Sequence, residues 1–187
     1  MDRRSIDYLA NADTFAALVA AVPEGSWEAA SPCAGWSAAD VLDHVIGTQR
    51  DFFADRSMTL SEATDGSPAQ RWAVHHESVV SAMNDEDFAL AEYDGYFGPT
   101  TVADTMRDFY GWDLVVHRWD IGEAVGMPVS WSDAERAFVK AGLEGFGDQL
   151  YMEGICKPAV PVADGADEQT RILGLLGRRA SAARSRG

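Results

Sequence analysis

Apolar residues recur along this chain at helical spacing, and a strand-like alternation appears nowhere. Ile6, Leu9, Ala10, Phe15, Leu18 and Val19 mark one stripe over about residues 5–21, which Pro23-Glu24-Gly25 ends. Residues 27–36 carry Ser31-Pro32 and Ala34-Gly35 and read as loop. A second helix starts at Ser37 as N-cap. Asp40 lies where its carboxylate meets the unpaired N–H groups, and Val41, Leu42, Val45, Ile46, Phe52 and Phe53 carry the stripe to about Arg56. After a polar connection over 57–66, Ser67-Pro68 opens a third helix through Trp72, Val79, Val80 and Met83 to about Asn84. Residues 85–99 are acidic and aromatic, contain Gly and Pro, and read as loop. A fourth helix starts at Thr100 or Thr101, passes Val102, Met106, Phe109, Leu114, Val115 and Ile121, and stops at Gly126 before Pro128.

The remainder predicts two further helices. Ser132-Asp133-Ala134-Glu135 is a capping box for a fifth helix to about Met152, in which Gly142, Gly145 and Gly147 each cost up to ~1 kcal/mol relative to alanine. Beyond Pro158, Val160 and Pro161 fit extended chain. A last short helix over about 168–176 sets Ile172, Leu173 and Leu176 against the body. With no internal repeat and no sheet pattern, the fold class is all-α.

Composition narrows the partners. A chain of 187 residues, 47% apolar and 24% charged, suits one soluble domain, taken as 1–178. Thirty acidic against fifteen basic residues leave a charge of −15, which repels phosphate backbones and anionic lipid. A basic cluster, Arg178, Arg179, Arg184 and Arg186, falls in a Ser/Ala/Gly stretch; 179–187 is expected to be a disordered tail without function. No apolar run approaches the ~18–20 residues of a membrane span, and Met1-Asp2-Arg3-Arg4 leads into no signal-peptide core. A cytoplasmic protein with Cys33 and Cys156 free is the expectation. Cys33 lies in a Pro-Cys-Ala-Gly loop, where a reactive thiol is one reading and a buried or idle cysteine the favoured one.

Two segments carry the candidate chemistry. Asp113 and His117 stand four apart on one helix face among Trp112, Leu114, Val115 and Val116. They make a poor surface pair but good metal ligands if a third arrives from elsewhere, and His44 on the second helix is the candidate. His44 lies roughly 10 Å from its helix start and His117 roughly 12 Å from its helix end at 1.5 Å per residue. The depths coincide only if these helices run antiparallel, which requires a crossover carried by 57–66. Two imidazoles and one carboxylate leave a position open, the pattern of a catalytic zinc site; iron(II) or nickel also suit the set. Asp120 could substitute as a ligand or orient His117 as a hydrogen-bond acceptor. Asp40 reads as a cap, His75 and His76 as surface or pocket-lining residues, and Trp36, Trp112 and Trp119 as packing.

Pro32-Cys33-Ala34-Gly35-Trp36-Ser37 leading into Asp40-Val41-Leu42-Asp43-His44 resembles the second-helix signature of the DinB-like superfamily. More narrowly it resembles the branch containing the metal-binding domain of mycothiol-dependent maleylpyruvate isomerase. Asp113-Leu114-Val115-Val116-His117-Arg118-Trp119-Asp120-Ile121-Gly122 resembles that branch's fourth-helix motif, with Asp113 where the branch usually has glutamate. The likeness covers about residues 5–126, with a family-like ending over 161–178. It implies a four-helix bundle, up-down-down-up, with a long crossover between helices 2 and 3 and the extra C-terminal helices appended. It also implies a divalent metal on His44, Asp113 and His117, and a pocket at one end of the bundle used with a low-molecular-weight thiol such as mycothiol. The expected activity is a zinc-dependent thiol S-transferase or isomerase-type reaction on a small electrophilic substrate. The isomerase of this branch carries a further C-terminal domain, so a non-catalytic metal-containing protein that binds or sequesters a small molecule stays as the alternative. A homodimer is expected by analogy alone.

Overall fold

N-terminal caps fix where each helix of the bundle begins. The computed structural model describes residues 1–63, 65–152 and 155–179; residues 180–187 of the expected tail, with Arg184 and Arg186, lie outside them. Asp2 accepts from the Arg4 N–H to open α1 (Arg3–Ala21). Ser37 and Asp40 form a reciprocal capping box for α2 (Ala38–Ala54), and Ser67 and Gln70 form another for α3 (Pro68–Asn84). After α4 (Glu86–Ala89) come β1 (Glu92–Gly95) and β2 (Gly98–Thr101), then α5 (Val102–Thr105), a π-helical turn (Met106–Tyr110) and α6 (Gly111–Ala124). Two further helices, α7 (Asp133–Phe146) and α8 (Glu168–Leu175), pack outside the bundle.

Cross-helix contacts give the direction of each element. Arg4 pairs with Asp104 at 2.8 Å and Gly111 lies against Tyr8 and Asn11, so α1 and the α5–α6 rod run the same way. The Tyr110 hydroxyl donates to the Thr48 carbonyl at 3.2 Å, while the His44 and His117 rings lie 5.2 Å apart. Numbers rise along α2 as they fall along α6, so this pair is antiparallel. Asp43 pairs with Arg71 and Gln49 with His75, so α2 and α3 are parallel. Asp13 meets His76 and Phe15 meets Trp72, so α1 and α3 are antiparallel. The result is the expected up-down-down-up bundle. Its crossover climbs back past α2 and α3: Arg50 holds Glu62 at 2.9 Å, and the Ser61 N–H donates to Ser78 Oγ at 2.9 Å. Although a short segment joins them, α1 and α2 lie across the bundle diagonal; each packs chiefly on α3 and α6.

Three segments depart from the sequence expectation. Residues 85–99 are more than loop: α4 makes one turn, and β1 and β2 pair antiparallel from Glu92↔Thr101 to Gly95↔Gly98. β1 alternates in exposure, but over four residues only, and β2 does not, so neither stands out from loop in the sequence. The fourth helix is interrupted by its π-helical turn, where the Gly111 N–H reaches back to the Met106 carbonyl. The added residue rotates the register, so Phe109, expected in the apolar stripe, is instead 39% exposed. The fifth helix stops at Phe146 because Gly147 takes φ +53°, and residues 147–151 continue as a 3₁₀ turn.

Two apolar clusters meet on α6. One fills the bundle around Tyr8, Phe15, Leu42, Phe53, Trp72 and Leu114; the other joins Trp112, Val115, Val116 and Trp119 to Trp131, Val139, Leu150 and Leu173. Buried on all sides, α6 has little amphipathic pattern. Gly142 serves this second cluster, since a Cβ there would overlap the Trp112 indole. Gly142→Ala is therefore expected to destabilise by about 1–3 kcal/mol despite its better helix propensity, a result readable in urea denaturation. Among the described residues, no helix is long and apolar enough to cross a membrane.

His75 was expected at the surface or lining a pocket. It is instead 2% exposed and bonds Gln49 Oε1 at 3.0 Å, an oxygen that also accepts from the Tyr8 hydroxyl at 2.8 Å. Burial, helped by the charges of Arg50 and His76, pushes its pKa down to about 3 from 6.5. In the unfolded chain this imidazole takes up a proton as pH falls through 6.5, while the folded one waits until about 3, so its contribution to stability is lost across that window. His75→Gln keeps a donor for Gln49 and is expected to flatten the fall in urea midpoint between pH 6.5 and 4.5. Equal slopes in both proteins would contradict this. His76 stacks on Trp72 and bonds Asp13 at 3.1 Å, away from the cavity described next.

Candidate metal centre

The antiparallel packing of α2 on α6 brings His44, Asp113 and His117 together. One donor atom from each lies within 4.8 Å of the others, and His117 Nε2 stands 3.2 Å from Asp113 Oδ1. Two donors each about 2.1 Å from one ion in a roughly tetrahedral set are about 3.2–3.5 Å apart, so this spacing suits a shared divalent cation. Trp36 packs against His44 with ring centroids 5.0 Å apart.

Asp120 settles which nitrogen of His117 faces the cluster. Fully buried, its Oδ2 lies 2.8 Å from His117 Nδ1, which leaves Nε2 directed at Asp113. Burial opposes charge on His117, but Asp113 first and then Asp120 outweigh it, and the imidazole holds its proton well above the ordinary range. Burial also disfavours the Asp113 carboxylate, yet His117 draws its pKa below the usual value. His44 moves the other way, pushed down chiefly by burial, with Asp113 partly restoring it. Two anionic carboxylates thus grip one cationic ring beside a neutral one, an arrangement in which a divalent cation can replace a proton.

A second group of possible ligands overlaps the first: Cys33, His117 and Asp120. It already holds a cation. Arg178 donates from Nε to Asp120 Oδ1 at 2.9 Å, from Nη2 to Oδ2 at 2.7 Å and from Nη1 to the Leu176 carbonyl at 3.0 Å. Burial works against both charges, but each holds the other: Asp120 lies far below the carboxylate range, and Arg178 far above the guanidinium range. With a permanent cation in place there, the first group is the better metal site.

Arg178, in the basic cluster to which the sequence gives no function, is buried, anchored because α8 and the turn after it return the chain to α6. A positive φ of 74° at Gly177, packed on Lys157, permits that turn. Cys33 is half-buried beside the Asp120–Arg178 pair. Its thiol lies 3.4 Å from Asp120 Oδ2 and 3.7 Å from Arg178 Nη2; Cys156 Sγ is 3.9 Å from Nη1 on the other side. Burial raises the Cys156 pKa, with Arg178 opposing. A Pro-Cys-Ala-Gly loop leading into the helix that carries His44 was the available signal for Cys33; no local pattern marks Arg178.

These residues line a cavity of about 590 Å³. His44, Asp113, His117, Cys33 and Arg178 form its polar floor, and Phe109, Trp112, Val116, Phe146, Met152 and Ile155 its apolar walls. Asp40 is confirmed as a cap and Trp119 as packing, while Trp36 and Trp112 also face this space. Residues 8–122, more than half of the chain, match the family described as the mycothiol maleylpyruvate isomerase N-terminal domain. No curated protein and no solved structure matches the chain.

Proposed function

Because this chain belongs to the mycothiol maleylpyruvate isomerase N-terminal domain family, we propose that His44, Asp113 and His117 hold one divalent cation, zinc, for a thiol S-transferase or isomerase-type reaction. The cosubstrate is a low-molecular-weight thiol such as mycothiol, and the other substrate a small electrophile. The observation carrying this reading is the convergence of two imidazoles and a carboxylate in the lining of one cavity, with Nδ1 of one imidazole fixed by Asp120. A cation on such a set supplies an acidified thiol or water and a polarised carbonyl.

The chain's own residues provide the rest. Asp120 and Arg178 lock the His117 ring, and Trp36 braces His44. Asp113 contributes a negative charge that binds the cation and spares the site an uncompensated double positive charge. The apolar walls surround the polar floor with surface of low polarity, which strengthens the charge interactions there.

Zinc-loaded protein incubated with mycothiol and a panel of small electrophiles is expected to give thiol adducts or isomerised products detectable by mass spectrometry. His44→Ala should lower the rate by two to three orders of magnitude, the worth of several kcal/mol of transition-state stabilisation. Uptake of the small molecules without chemical change would favour the sequestering alternative and overturn the catalytic reading.

A further inference from the structure

The cavity walls speak to the substrate in a way the floor does not. We infer that the site takes an electrophile with an apolar, aromatic-sized body and is not built for a compact dicarboxylate; this rests on the function proposed above and deepens it.

Three observations carry the inference. The first is that the polar tips of two large wall residues, Trp112 and Tyr151, are already spent. Trp112 Nε1 donates to the Val139 carbonyl at 3.1 Å, and the Tyr151 hydroxyl donates to the Leu175 carbonyl at 3.0 Å. Each therefore offers the cavity ring surface with no free donor. Thr48 Oγ1 donates to the His44 carbonyl at 3.0 Å and is spent in the same way.

The second concerns the cations. Arg178 would be the natural clamp for a carboxylate, but all three of its nitrogens are committed, to Asp120 and to the Leu176 carbonyl. That leaves Lys157, exposed at the edge of the cavity, as the lining cation without an ion pair among the described residues. Beside the proposed metal, which could take one carboxylate, a single rim lysine on a chain of charge −15 is poor provision for the second.

The third is a continuous apolar rim that leaves the site towards solvent. Phe109 meets Phe146 with centroids 5.9 Å apart, and Phe146 meets Phe97, at the hairpin tip, at 6.1 Å. Phe97 is 64% exposed and Ile155 46%. Large apolar side chains clustered around a cavity mouth mark a surface that a ligand covers. The π-helical turn turns Phe109 out of the core and into this rim.

The test uses N-phenyl-1-naphthylamine, an uncharged aromatic fluorophore, against maleate, a compact dianion. Fluorescence titration should show saturable binding of the fluorophore at one site per chain, with no displacement by millimolar maleate. Ile155→Asp and Phe109→Ser, both at exposed positions that leave the fold intact, should each weaken binding by about tenfold or more. Protein stripped of metal by a chelator should bind the fluorophore like the zinc-loaded protein, so loss of the metal and loss of the apolar site are read separately. Displacement by maleate, unsaturable binding, or indifference to both rim substitutions would overturn the inference.

Discussion

His44→Ala, Asp113→Ala and His117→Ala should each reduce the zinc in purified protein from about one ion per chain to near none, while the helical circular dichroism spectrum persists. The expectation follows from the count of donors. Three protein ligands are the usual minimum for a tightly held catalytic zinc, and any two of these leave a pair that exposed histidines and acids form everywhere. The three variants differ in what they leave behind. Asp113→Ala strips a buried imidazolium of one of its two carboxylates and should also cost stability, whereas His44→Ala removes a neutral, partly buried ring. Elemental analysis beside thermal melts separates the two effects. Retention of zinc by all three variants would leave the ligand assignment without support.

Arg178→Met should be the most damaging single change in the molecule outside the apolar cores. It removes the guanidinium from a fully buried carboxylate and leaves Asp120 charged against His117 alone. Breaking one partner out of a buried ion pair costs about 3–5 kcal/mol. In a domain of this size that amounts to a fall in Tm of roughly 10 °C. Arg178→Lys should recover little, because a single ammonium cannot reproduce the paired bonds to both carboxylate oxygens and the third to the Leu176 carbonyl. A melt within 2–3 °C of the parent for Arg178→Met would mean that the pair is a dispensable surface feature.

The bundle was legible because its signals are local. Ser37, Ser67 and Ser132 cap the helices they were expected to cap, and the apolar stripes of α2 and α3 fall where the periodicity put them. In α1 only Phe15 and Val19 of the expected stripe are buried; the core face is Ser5, Tyr8, Ala12, Phe15 and Val19, and Ile6 is exposed. The convergence of His44 with Asp113 and His117 was legible through depth along two helices, which demanded the antiparallel pairing that α2 and α6 adopt. The missed features are non-local or break periodicity. An inserted π turn cannot be told from a continuous helix by spacing that tolerates one residue of slip, so Phe109 was assigned to the core. The hairpin at 92–101 has two short strands stabilised by docking on the bundle. Arg178 lies 58 residues from Asp120, and only the return of α8 to α6 reveals that a residue in an apparently featureless basic stretch ends beside a buried acid. Gly142 reads as a helix weakness until the Trp112 indole is seen lying over it.

Anomalous scattering at the zinc edge from crystals of the zinc-loaded protein addresses the central claim most directly. One strong peak is expected between the His44 and His117 rings and the Asp113 carboxylate, with Arg178 still on Asp120. A peak on Cys33, His117 and Asp120 with the guanidinium expelled, or no peak in this cavity, would contradict the account.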